Sequence, residues 1–467
     1  MSSQGIFDPI VNAYYKKKYG GGGEGGTEAL DNFIKSMFSK TPFELKSNVE
    51  GPISDGAISF GGTVTSIDLP YVTSVGKDAF RSYTSLTSVN LPLATNIGNY
   101  AFCNCAALTF VDLPSATSIG SSAFEDCAAL TSVNLPSATS IGSSVFDGCA
   151  ALVSVNLPLA TSIGEQAFYR CRPKLTSIDL PSAASIGKEA FYYCTSLTSV
   201  NLPLATSIGE GSFKTCSSLT SIDLPSAASI GSDAFSGCTS LTSVNLPLAT
   251  SFGIRAFTNC EALASIELPS ATSIGNSAFT NCVALASIEL PSATSIGSSA
   301  FDGCAALTSI NLPSATNIGD YTFMDCGLTS INLPSATNIG KYAFAGCGLT
   351  SINLPYVTSI KDNTFAGCTS LSCVDLSSAE SIGGGAFSGC TSLTALILRT
   401  TKTVCEASLS SLDGTPLVQG TGHIYVPSVM YEYYRAGYEA GLNELMPGFF
   451  DILFRKIEDY PEICGAN

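Results

Sequence analysis

The sequence predicts an α/β repeat solenoid in which short parallel strands stack coil upon coil, and three observations predict it. The dipeptide Leu-Pro recurs from Leu69-Pro70 to Leu354-Pro355 at a period of 22, with one 23 and two 21s. One Phe per unit runs in the same frame from Phe80 to Phe387, and one Cys from Cys105 to Cys390. A fixed period of this size marks stacked supersecondary units, none of which can bury its own apolar face alone. Ser377 and Arg399 hold the Pro slot in two further units, so about sixteen units fill residues 62–399.

In chain order, residues 1–26 read as a short N-terminal helix from Asp8-Pro9, then Lys16 to Lys18 and a Gly-rich linker, Gly20 to Gly26, with nothing to pack. Residues 27–61 read as an N-terminal cap, because Leu30, Phe33, Ile34 and Phe38 fall at helical spacing. The three lysines follow the apolar residues instead of preceding them, so no secretory signal is visible, and no run is long enough to cross a membrane.

One full unit, residues 130–151, shows how each solenoid element arises. Leu130, Val133 and Leu135 put three aliphatic side chains on one side of a short extended segment, with Ser132 and Asn134 on the other. Pro136 ends that strand. An Ala and an Ile-Gly pair follow, then Phe146 four residues beyond Gly142 and Cys149 three beyond Phe146, a spacing that predicts a turn and a helical turn. Residues 400–467 read as a C-terminal cap, with a strand over Ile424 to Val426 and two helices split near Gly441 and Pro447.

The unit L-T-S-[VI]-[NDE]-L-P-x-A-T-[SN]-I-G-x-x-A-F-x-x-C resembles the BspA-like class of leucine-rich repeat over about 340 of the 467 residues. The resemblance implies a right-handed leucine-rich repeat superhelix, with a parallel sheet on the concave face and turns and short helices on the convex side. It also implies a non-enzymatic binding or adhesion protein, placed outside the cell or on its surface. Departures are Tyr83 in the first Cys slot, Phe110 for an inner Ser, Lys361 for Gly, and Arg399 for Pro.

The residues themselves bound the chemistry. The chain has 21 Lys and Arg against 37 Asp and Glu, a formal charge of −16, which argues against nucleic acid. Fourteen of the 18 Cys occupy the repeat slot and read as free buried thiols; Cys103, Cys373, Cys405 and Cys464 are irregular, and a Cys405–Cys464 bridge stays open. Cys103-Asn104-Cys105 is the only close pair, so neither a metal nor another cofactor is expected. The sole His, His423, lies in the expected closing strand and reads as a capping or surface residue. Glu267 and Glu289 share one strand slot in adjacent coils; their separation of about 5 Å is near that of retaining glycosidases, but the ladder imposes it and no pocket is expected around the pair.

Two candidate binding surfaces follow. The first is a concave stripe of polar acceptors two places before Pro: Asp68, Asn90, Asp112, Asn134, Asn156, Asp179, Asn201, Asp223, Asn245, Glu267, Glu289, Asn311, Asn332, Asn353 and Asp375. The second lies in the slots around Phe that vary most between units, where Tyr169, Arg170, Tyr192 and Tyr193 form a patch of the residue types that dominate binding energetics. The expected partner is a protein or polysaccharide on a cell surface, in the matrix or on a host, without membrane insertion. The absent export signal leaves a second reading open, a virion component such as a phage tail fibre or receptor-binding protein.

Overall fold

The computed structural model describes residues 43–46, 50–56 and 64–399 and, towards the C-terminus, 412, 414–417, 419, 421–439 and 454–460. The expected N-terminal helix, Gly-rich linker and Ala29 to Phe38 cap lie outside these residues, as do Cys405 and Cys464. The chain forms two compact units, Met1–Ala227 with Ala234–Val244, and Ala228–Asp233 with Asn245–Asn467.

The first unit is a stack of coils, each contributing two strands. Ser-Val-Asn or Ser-Ile-Asp segments such as Ser132–Asn134 and Ser154–Asn156 pair in parallel, residue for residue, one repeat apart. After the Pro turn, a two-residue strand such as Ser140–Ile141 pairs in parallel with Ser118–Ile119 and Ser162–Ile163. This second ladder is a finding beyond the expected turn. Thr117, Thr139 and their equivalents precede it, and their side chains donate to the Thr carbonyl one coil back.

The expected helical turn between Gly and Cys is corrected to a chain of tight turns. Two residues per coil take left-handed backbone, for example Tyr100 at φ 57° and Asn104 at φ 59°. That conformation interrupts any helix. The amides of Tyr100, Phe102 and Asn104 instead donate to the carbonyls of Ser121, Ala123 and Glu125 in the next coil. Backbone donors that a helix would use internally thus join neighbouring coils, which makes a third ladder.

Between the ladders the same core positions recur from coil to coil. Leu130, Val133, Leu135, Ala138, Ile141, Phe146 and Cys149 are all buried. Successive Phe rings stack, with centroids 5.4 Å apart for Phe102 and Phe124 and 5.1 Å for Phe191 and Phe213. Tyr83, in the first Cys slot, is buried edge-on against Phe80 at 5.7 Å.

The second unit repeats this plan. Its Phe rings run from Phe257 to Phe387 at 5.3 to 5.6 Å. Its second ladder divides between Asn338–Ile339 and Ser359–Ile360. The division falls where Lys361 replaces the repeat Gly. A Cβ built on Gly319 would stand 2.5 Å from Ser298 N and 2.7 Å from Gly297 C, so coils approach too closely there for any side chain. The requirement is close approach, since these glycines have no positive φ.

The C-terminal part closes this unit. His423–Val426 pairs in parallel with Ala395–Ile397, as the expected closing strand should. Ser428–Glu439 is a helix, the first of the two expected. Of the stretch expected to form the second, residues 440–453 lie outside the described residues, and Phe454–Lys456 is a strand that pairs with Ile424 to Val426, so an otherwise open edge has a partner. Glu458 accepts bonds from the backbone N–H and the hydroxyl of Ser428, both 3.0 Å, and so caps the helix N-terminus.

Candidate functional site

The strand stripe is built by the first ladder, which turns the residue before each buried Leu outward. In the first unit Asn90, Asn156, Asp179, Asn201 and Asp223 are exposed, while Asp68, Asp112 and Asn134 are half-buried. Asp and Asn largely alternate here, and the amides bond along the stack: Asn90 donates to Asp68 at 2.8 Å, Asn134 to Asp112 at 2.8 Å, Asn156 to Asn134 at 2.7 Å and Asn201 to Asp179 at 2.7 Å. Like charges opposite one another on a ladder repel, and an Asn between two Asp replaces that repulsion by a hydrogen bond.

In the second unit Asn245, Glu267, Glu289, Asn311, Asn332 and Asn353 are exposed, and Asn332 donates to Asn311 at 3.0 Å. Glu267 and Glu289 are direct register partners on the outward side of their strands. Asp375 is the correction: it is buried, accepts the Ser377 hydroxyl at 2.7 Å and pairs with the Arg399 guanidinium at 3.3 Å. Both residues that depart from Pro therefore serve this carboxylate, and Asp375 does not belong to the open stripe.

Much of the Ser and Thr around the stripe bonds backbone as well as facing solvent. Thr87 donates to the Thr65 carbonyl at 2.8 Å and Thr131 to Thr109 at 2.8 Å. Ser115 and Ser137, one place beyond Pro, donate to the carbonyls of Pro92 and Pro114. Phe110, in an inner Ser slot, stands exposed among them.

The turn-side patch is brought together across two coils of the first unit. The Tyr169 and Tyr192 rings stack at 5.2 Å, and Tyr193 meets Tyr192 edge-on at 4.7 Å. Arg170 lies over Tyr169 at 4.9 Å and pairs with Asp147 at 3.0 Å. Asp147 is almost fully buried; burial pushes its carboxyl up, and the Arg170 guanidinium opposes that shift. Arg170 thus stabilises the coil as well as facing outward. Arg172, absent from the expected patch, stands over Tyr193 at 5.2 Å. It could be found in the sequence as part of the one lengthened Cys-to-Leu link, Cys171-Arg-Pro-Lys-Leu175.

The cysteine column is chemically quiet. Each described thiol of the repeat slot is buried and free. Sγ donates to the Phe carbonyl of the preceding coil, as Cys127 does to Phe102 at 3.3 Å. Burial pushes Cys105, Cys194, Cys238 and Cys347 up to about 12, so these thiols stay protonated at neutral pH. Cys103 is also free, whereas Cys373 is disulfide-bonded. His423 is half-buried and meets Tyr425 edge-on at 6.1 Å. Among the described residues no group of three His, Cys, Asp or Glu could hold a metal ion, and no helix is long and apolar enough to cross a membrane.

The family model described as the BspA type leucine-rich repeat region matches residues 52–173, 117–242, 161–271, 206–319 and 316–413. A leucine-rich repeat protein from Bacteroides ovatus is 33% identical over 71% of this chain and 87% of its own, with a TM-score of 0.61. A leucine-rich cell surface protein from Faecalibacterium prausnitzii is 25% identical over 78% of this chain and 89% of its own, with a TM-score of 0.38. No curated protein matches.

Proposed function

The chain belongs to the BspA-type leucine-rich repeat family, and from that premise we propose that it is a non-enzymatic binding protein that adheres to a protein on a cell, matrix or host surface. The observation that carries this reading is the Tyr169, Arg170, Tyr192 and Tyr193 cluster, four residues of two different coils assembled into one partly exposed surface. Tyr supplies large contact area at low entropic cost, Arg170 is already held by Asp147 and Tyr169, and the ladders hold the backbones in place before any partner arrives. The stripe adds polar groups in register along the other face.

The disulfide at Cys373 supports a place outside the reducing cytoplasm, where such bonds persist. The family resemblance supports the same location. The test is a binding isotherm of fluorescently labelled chain on intact bacterial and epithelial cells, before and after the cells are treated with protease. Saturable binding lost on protease treatment is the expected result. Binding that never saturates on any cell overturns adhesion, and binding that survives protease overturns a protein partner.

A further inference from the structure

Most cations of the solenoid are ion-paired among the described residues; exposed Lys361 is one exception, and Arg172 with Lys174 make a second, local one. Between residues 62 and 397 there are ten basic and twenty-one acidic side chains. Lys77 and Arg81 pair with Asp78, Arg170 with Asp147, Lys188 with Glu210, Arg255 with Asp233 and Lys341 with Asp362. Arg172 and Lys174 stand in no ion pair among the described residues, and both are exposed. They flank Pro173 on the one Cys-to-Leu link that carries three residues where Cys149-Ala-Ala-Leu152 carries two.

The surroundings favour a ligand over bulk water. The Arg172 guanidinium lies over the Tyr193 ring, which holds one of its faces while leaving its N–H edge to donate. Tyr193 is itself fixed edge-on against Tyr192, which stacks on Tyr169. One cation is thus oriented by aromatic contact with no acid neutralising it, on a molecule whose formal charge is −16.

We propose that Arg172 and Lys174, backed by Tyr193, form the anchor for a short acidic peptide segment of the protein partner. This rests on the binding reading above and names the chemistry that the tyrosine cluster alone leaves open. The acidic remainder of the chain repels a long polyanion, so recognition is confined to a few carboxylates. Binding is therefore salt-dependent.

The test uses the full chain and a fluorescein-labelled peptide of eight alternating Glu and Gly residues, titrated by anisotropy at low and at physiological salt. Saturable binding that weakens with salt is expected, and Arg172→Ser with Lys174→Ser should weaken it roughly fivefold to tenfold. Lys188→Ser with Lys341→Ser removes the same charge from paired positions and should leave it unchanged. Both pairs are exposed, and equal melting temperatures confirm intact folds. No saturable peptide binding, or equal losses in the two double variants, overturns the proposal. Polygalacturonate binding tighter than the peptide overturns the choice of a peptide. Cell binding by the Arg172/Lys174 variant at wild-type strength rejects the anchor while leaving adhesion standing.

Discussion

A buried thiol and a repeated glycine show how single side chains are chosen by the coil next door. The Cys slot sits beside the Phe carbonyl of the preceding coil, where Sγ–H can donate weakly while filling an apolar space. Burial raises the folded thiol, to about 12 for Cys105, Cys194, Cys238 and Cys347, while an unfolded thiol ionises near about 8.5. Above that lower value the unfolded chain releases protons that the folded chain keeps, so folding stability falls as pH rises. It is complete below about 8.5 and is lost towards 12, at about 1.4 kcal/mol per pH unit for each such thiol. Thermal melts should show a steep alkaline decline beginning near pH 8.5. Cys194→Ala should make that decline shallower, and a flat profile to pH 10 would contradict the burial of the column.

At the scale of the ladder, the first strand of each coil was legible from Leu-x-x-Val-x-Leu, because alternation there separates buried from exposed positions by type. The Phe and Cys columns were legible because each recurs once per repeat in a fixed frame. The second strand was not: Ser140–Ile141 is two residues long, too short for a period to show. The turn run read as helical because Phe and Cys fall three apart; left-handed residues such as Tyr100 and Gln166 carry no sequence mark of that conformation, although the second left-handed position of most coils is Gly, Asn or Asp, as at Asn104 and Gly148. Of the candidate site, the tyrosine patch could be read from slot variation, whereas Asp375 could not be separated from its column without seeing Arg399 reach back one coil. Asp147 and Arg170 likewise lie 23 apart and meet only because the coils stack.

The ladder also makes a paired prediction. A Cβ on Gly209 would stand 2.7 Å from Gly187 C and from Ile186 O, both backbone, so Gly209→Ala must push two coils apart and should cost about 1–3 kcal/mol. Lys361→Gly should act in the opposite sense, closing the division between Ile339 and Ile360. Chemical denaturation reads the first. Slower hydrogen exchange at residues 359–361 in the Lys361→Gly protein reads the second, and faster exchange there would contradict the explanation.

For the whole molecule, stability comes from neighbour-to-neighbour contacts repeated many times: three backbone ladders, hydroxyl donors from Ser and Thr, and the Phe and Cys columns. The Ser, Thr and Ala content that lowers charged residues to 12% is what these ladders use. Cysteine chemistry follows the same division between stack and flank. Alkylation of the denatured, unreduced protein should modify 16 of the 18 cysteines, the two of the Cys373 disulfide being protected. Modification of all 18 would remove the bond and its support for an oxidising location.

The proposed adhesion rests on a surface prepared by stacking. It is tested most directly by comparing cell binding of the wild-type chain with that of Tyr169→Ala, Tyr192→Ala and Tyr193→Ala combined, leaving Arg170 to neutralise buried Asp147. At equal melting temperature, binding at least about tenfold weaker is predicted, since aromatic anchors each contribute a kcal/mol or more. An unchanged isotherm would contradict it.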